Sequence, residues 1–159
     1  MKHLTIKGLS FACIITLMFA CNGKKEQASV DKEQIKREIQ AKEDSFAAVY
    51  NSGQLRNIGY YADDATSYLQ NTAPLVGKEA IKEFLQSDLA GNTDKISFQL
   101  NEIFPSSDGE LVVELGHFTV IDSANNPVNS GNYMALFQKR DGKYVVLRDM
   151  STSDGVRVK

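Results

Sequence analysis

Tryptophan is absent from this chain of 159 residues, cysteine and histidine occur twice each, and proline occurs three times. So few cysteines and histidines give no ligand spacing from which a transition-metal site could be built. Eleven glycines without a repeat exclude a collagen-like chain. At 42% hydrophobic and 24% charged residues, wholesale disorder is excluded as well. A long apolar run is also missing. The longest, Leu9 to Ala20, has 12 residues, and a bilayer-spanning helix needs about 20. Nor is there a basic excess: 18 Lys and Arg stand against 20 Asp and Glu, which argues against nucleic acid as a partner. What is present is enough chain for one domain, which would bury roughly two-thirds of its unfolded surface.

The amino terminus reads as an address. Lys2 and Lys7 precede the short apolar run, the arrangement of a secretory signal peptide over residues 1–20. Met18-Phe19-Ala20-Cys21 resembles a bacterial lipobox, with Phe19 where a small or aliphatic residue is usual. That resemblance implies cleavage before Cys21, lipidation of its thiol, and attachment to a membrane through the lipid. Residues 21–31 then form the lipidated cysteine and a polar tether without apolar period. Asn22 is not the aspartate that holds such proteins in the inner membrane, so the expected address is the bacterial cell envelope, on the outer membrane. Cleavage would remove two basic and no acidic residues, leaving a net charge of −4. Cys13 would leave with the signal and Cys21 would carry the lipid, so the folded domain has no thiol for a disulfide.

The domain itself is expected over 32–154, with 155–159 as a tail. Ile35, Ile39, Phe46, Val49 and Tyr50 share one helical face, and Gly53 supplies a left-handed stop. A second short helix is predicted over Gln54 to Tyr61, from Leu55, Ile58 and Tyr61. Asp63-Asp64 would end it, before a brief strand from Ala65 to Leu69. A third helix runs from Lys78 to Leu89, with Ile81, Phe84, Leu85 and Leu89 as its stripe. Four strands follow: Ile96 to Phe104, Glu110 to Asp122, Ser130 to Lys139 and Tyr144 to Thr152, the last two joined at Asp141-Gly142. The class is α+β, three helices packed on one face of an antiparallel sheet.

In the strand Leu111 to Ile121 both alternating rows are mostly apolar. A sheet with one solvated face alternates apolar and polar residues, so both faces should be covered. The helices cover one, and a second copy of the chain, making a homodimer, is the simplest cover for the other. His117, the one histidine of the domain, lies on that second row.

The layout and its motifs resemble the SnoaL-like branch of the nuclear transport factor 2 superfamily, which includes ketosteroid isomerases. The resemblance is carried by Phe46-Ala47-Ala48-Val49-Tyr50-Asn51-Ser52-Gly53, Tyr61-Ala62-Asp63-Asp64-Ala65, Gly77-Lys78-Glu79-Ala80-Ile81, Gly131-Asn132-Tyr133 and Arg140-Asp141-Gly142-Lys143-Tyr144. It implies a cone of curved sheet and helices around a ligand-sized pocket, often in a homodimer. It also implies where isomerase groups would fall. The helix-one tyrosine falls on Phe46, the base near Leu69 and the oxyanion acid near Tyr133, so the donor and the base are lost. No phosphate loop or nucleophile elbow is present, and no cofactor is predicted.

The remaining candidates follow from the expected register. Phe46, Tyr50, Tyr61, Phe118 and Tyr133 would wall a pocket for a small apolar ligand or a peptide. Glu114 or Asp149, with Tyr133, would supply the acid of any isomerase, cyclase or dehydratase chemistry. An enclosed cavity with Tyr133 in hydrogen-bond reach of a carboxylate would favour catalysis, and a filled cone would exclude both ligand readings and leave a protein-interaction module.

Overall fold

The computed structural model describes residues 30–155. The expected signal peptide, the lipidated Cys21, the tether up to residue 29 and residues 156–159 lie outside them. Helix α1 (Lys32–Asn51) is capped by Asp31, whose carboxylate accepts from Gln34 N at 2.9 Å. Its buried stripe is Ile35, Ile39, Glu43, Phe46, Ala47 and Tyr50. Gly53 takes φ 71° just beyond its end.

The expected second helix is a correction. Only Leu55–Asn57 forms a 3-10 turn, and strand β1 (Tyr61–Leu69) already begins at Tyr61. The backbone there is held by the sheet, since Val146 N donates to Tyr60 O at 2.8 Å. Leu55, Ile58 and Tyr61 are all buried, so their spacing of three reports burial along a tight turn and a strand. Asp63 and Asp64 lie within β1, exposed, where Asp63 meets Lys78 and Asp64 is held by both guanidinium nitrogens of Arg140 at 2.6 and 3.0 Å. A two-residue β2 (Leu75–Val76) precedes α2 (Lys78–Leu89).

Strands β3 (Lys95–Pro105), β4 (Leu111–Ile121), β5 (Pro127–Arg140) and β6 (Lys143–Ser153) form an antiparallel meander. The β5–β6 hairpin turns on Asp141 and Gly142, with φ 51° and 74°. Both values are positive, as the tight hairpin turn needs. The full sheet order is β2-β1-β6-β5-β4-β3, and β1 pairs with β6 in parallel. The sheet is therefore mixed, a second correction to the antiparallel expectation. Bulges at Asn101 and Leu147 shift the register and bend the strands. After the second bulge, Asp149 faces inward as Val146 does.

Helix α1 packs on β3, and α2 on β1 and β2. Both helices cover the face that carries Val112, Glu114, Gly116 and Phe118 of β4, all buried. On the opposite row Val113, Leu115 and His117 are half-buried, while Tyr68, Met134 and Met150 are more than a third exposed. No described element covers that face.

Candidate functional site

The helices do not fill the concave side. At one end they leave a cavity of about 550 Å³. Phe46 and Tyr50 of α1, Tyr60 and Tyr61 at the entry to β1, and Phe118 and Tyr133 of the sheet wall it, with Phe98 between. All of these rings but Phe118 form one contiguous surface. Phe46 lies 4.6 Å from Tyr60 and 5.7 Å from Phe98, and Phe98 meets Tyr133 edge-on at 5.4 Å.

Two strand glycines make room for these rings. Gly116 is paired across the ladder with Tyr133, and Gly131 with Phe118. A Cβ at Gly116 would lie 2.5 Å from Tyr133 Cζ, and one at Gly131 would lie 2.6 Å from Phe118 Cε1. Each aromatic ring lies on the glycine opposite it, with Gln99 O 2.6 Å from the first Cβ position and Thr152 O closer still to the second, so any side chain there would displace the ring or the neighbouring strand.

All four tyrosine hydroxyls of the wall donate to protein carboxylates. Tyr50 donates to Asp88 at 2.5 Å, Tyr61 to Asp149 at 3.0 Å, Tyr133 to Glu114 at 2.7 Å, and Tyr60 to Glu43. Burial and these neighbouring acids hold Tyr60, Tyr61 and Tyr133 well above the usual phenol range. The cavity thus presents ring faces, carboxylate oxygens and the amides and hydroxyls of residues such as Gln70, Asn71, Asn129 and Ser151, while its phenolic protons are engaged elsewhere.

Glu43 and Glu114 lie fully buried behind that wall. Burial first, and then the charge of Glu114, push Glu43 up to about 9. Glu114 is also raised by burial, but hydrogen bonds from Tyr133 and Glu43 oppose the shift. The proton therefore resides on Glu43, which donates to Glu114. This accounts for one buried oxygen on each that otherwise has no partner.

Asp149 is different, because it lines the cavity. Burial raises its carboxyl, opposed by the hydroxyls of Ser67, its ladder neighbour, and Tyr61. Its Oδ1 is buried and accepts no hydrogen bond from the described residues.

Of the candidate residues, Phe46, Tyr50, Tyr61, Phe118, Tyr133 and Asp149 converge on one cavity, and Leu69 joins them at its edge. Glu114 does not reach it, because Tyr133 crosses Gly116 and covers it. Tyr133 is within reach of a carboxylate, but that carboxylate is sealed from the cavity. Sequence reasoning missed Glu43 and Tyr60. Glu43 carried a signal: it falls four residues after Ile39 and three before Phe46, on the apolar stripe of α1. Cys21 lies outside the described residues. Among the described residues no group of three His, Cys, Asp or Glu is placed to hold a metal ion, and no helix is long and apolar enough to cross a membrane.

Residues 43–147 match the family model of the SnoaL-like domain. No curated protein matches this chain. Solved structures do. A domain of unknown function with a cystatin-like fold from Nostoc punctiforme superposes with a TM-score of 0.66 at 14% identity, covering 77% of this chain and 79% of that one. An NTF2-like protein with a cystatin-like fold from Novosphingobium aromaticivorans gives 0.63 at 14% identity, over 78% and 85% of the two chains. A ketosteroid isomerase-like protein from Erwinia carotovora gives 0.60 at 16% identity, over 76% and 96%. At these identities the likeness establishes the fold: α+β, NTF2-like and cystatin-like.

Proposed function

This chain belongs to the SnoaL-like domain family, and from that premise we propose that its cavity binds a small apolar ligand, or the apolar part of a peptide, without chemical turnover. One observation carries the reading. The cavity is walled by aromatic rings, and every tyrosine hydroxyl in that wall is already bonded to a protein carboxylate. Apolar area of this kind gives affinity, and sparse polar groups give orientation. Isomerase chemistry needs a donor aimed at a developing oxyanion and a base beside it. Phe46 offers no donor and Leu69 no base, and the Tyr133 hydroxyl is held by Glu114.

Native mass spectrometry of the purified chain, looking for a retained small molecule, tests the reading first. Titration with an apolar fluorescent ligand tests it second. Phe118→Ala should weaken that binding about tenfold or more, as loss of a central aromatic anchor does. Saturable binding untouched by Phe118→Ala would place the ligand elsewhere.

A second reading rests on Asp149. A cavity carboxyl raised by burial, with one oxygen unpartnered, has the features of a general acid or base. Under this reading the domain is an isomerase, cyclase or dehydratase. Turnover of a carbonyl substrate that Asp149→Asn abolishes would establish it and replace the non-catalytic reading.

The same proposal places the domain on the bacterial cell envelope through lipid on Cys21, supported by the order of signal, lipobox and polar tether. It also pairs two copies of the chain through the outer face of the sheet, supported by the apolar side chains of β4, β5 and β6 left uncovered there.

A further inference from the structure

The ionisable groups lining the cavity are Asp88, Asp94 and Asp149, besides the tyrosines, and no described lining residue is Lys, Arg or His. An anion entering would meet carboxylates, ring faces and the neutral amides and hydroxyls of Gln70, Asn71, Asn129 and Ser151, with no compensating positive charge. Behind the floor, Glu43 and Glu114 share one proton and add further negative charge. The phenols that could have donated to an anion or a carbonyl donate to acids instead.

A cation meets the reverse. Aromatic faces attract positive charge through their quadrupoles. Three of the rings, Tyr50, Tyr61 and Tyr133, are phenols that hydrogen-bond to carboxylates, which makes them more electron-rich. An independent feature points the same way: Asp149 Oδ1 is buried at the wall and has no partner among the described residues. A buried carboxylate oxygen left unpaired is costly, and a positively charged or N–H group on a ligand would satisfy it.

We infer that the cavity selects organic cations: amines or quaternary ammonium groups carried on an apolar body, held between the aromatic rings and Asp149. This rests on the pocket reading above and names the class of ligand for it. Carboxylates and phosphates of similar shape are excluded by charge.

The test uses three probes that share one body: 4-phenylbutyltrimethylammonium, 4-phenylbutanol and 4-phenylbutyrate. Each is titrated calorimetrically into the purified full-length chain at low and at physiological salt. The ammonium should bind at least about tenfold more tightly than the alcohol, and the carboxylate most weakly. Asp149→Asn, checked for folding by circular dichroism, should narrow the gap between ammonium and alcohol by weakening the ammonium more than the alcohol. Phe118→Ala should weaken the ammonium and the alcohol together. Equal or tighter binding of the alcohol or carboxylate would overturn the cation preference and leave the pocket standing. Failure of all three probes to bind would remove the inference and count against the pocket itself.

Discussion

A Cβ on Gly116 would stand 2.5 Å from Tyr133 Cζ, so Tyr133 reaches Glu114 only because residue 116 has no side chain. The relation is steric, since the backbone at Gly116 does not take the left-handed φ that favours glycine. Gly116→Ala must therefore move the Tyr133 ring or the Gln99 carbonyl, which would be 2.6 Å away. Overpacking of this kind costs about 1–3 kcal/mol. A urea unfolding midpoint lowered by that amount, with the slope unchanged, is the expected result. An unchanged midpoint would mean that the ring turns aside freely.

Much of this arrangement was readable in the chain. The four long strands, both helices and the Asp141-Gly142 hairpin follow from period and turn chemistry. The second helix does not exist because Leu55, Ile58 and Tyr61 satisfy a helical spacing while serving a 3-10 turn and a strand. Tyr61 is fixed by β6, nearly the whole domain away in sequence, and the 3-10 turn packs on α2; no local rule reports partners at such distances. The parallel β1–β6 pairing was hidden for the same reason. Of the cavity's aromatic residues, Phe118 and Tyr133 were legible from strand alternation and Phe46 and Tyr50 from helical period, while Tyr61 was expected in a helix. The pairing of Tyr133 with Glu114 was one of two that the register suggested, whereas those of Tyr50, Tyr60 and Tyr61 were not legible, because each joins elements that only the tertiary fold brings together.

The outer face makes its own demand. Tyr68 is 42% exposed and Met150 52% exposed, and they sit beside half-buried Val113 and Leu115. A pairing surface of this kind predicts a dimer in sedimentation at micromolar concentration. Val113→Glu together with Leu115→Glu should yield monomers with unchanged circular dichroism, since neither residue belongs to the inner core. A wild-type chain that sediments as a monomer would remove the proposed pairing.

Cys21 carries the membrane proposal alone. Cys21→Ser deletes the thiol that would accept lipid and leaves the rest of the chain intact. The variant should leave the membrane fraction or accumulate uncleaved, while the wild type fractionates with membranes and gains acyl mass on its first mature residue. A mature protein that begins at another residue without that mass would overturn the assignment.

Glu43 sets the last expectation, through the pH dependence of stability. Its carboxyl is pushed up to about 9 in the folded chain, against an ordinary 4.5. Between those values the folded protein keeps a proton that the unfolded chain has released. Stability must therefore fall as pH rises through that window, with a slope approaching about 1.4 kcal/mol per pH unit from this group. A glutamine in its place has nearly the shape of the protonated acid. The amide oxygen can still accept from Tyr60, and the amide N–H can still donate to Glu114, with no proton to lose. Glu43→Gln should flatten the decline in Tm between pH 5 and pH 9 and raise Tm at pH 8 relative to wild type. A smaller slope should persist, because Glu114 and Asp149 are also raised by burial. Parallel curves for the two proteins would mean that Glu43 does not hold the proton.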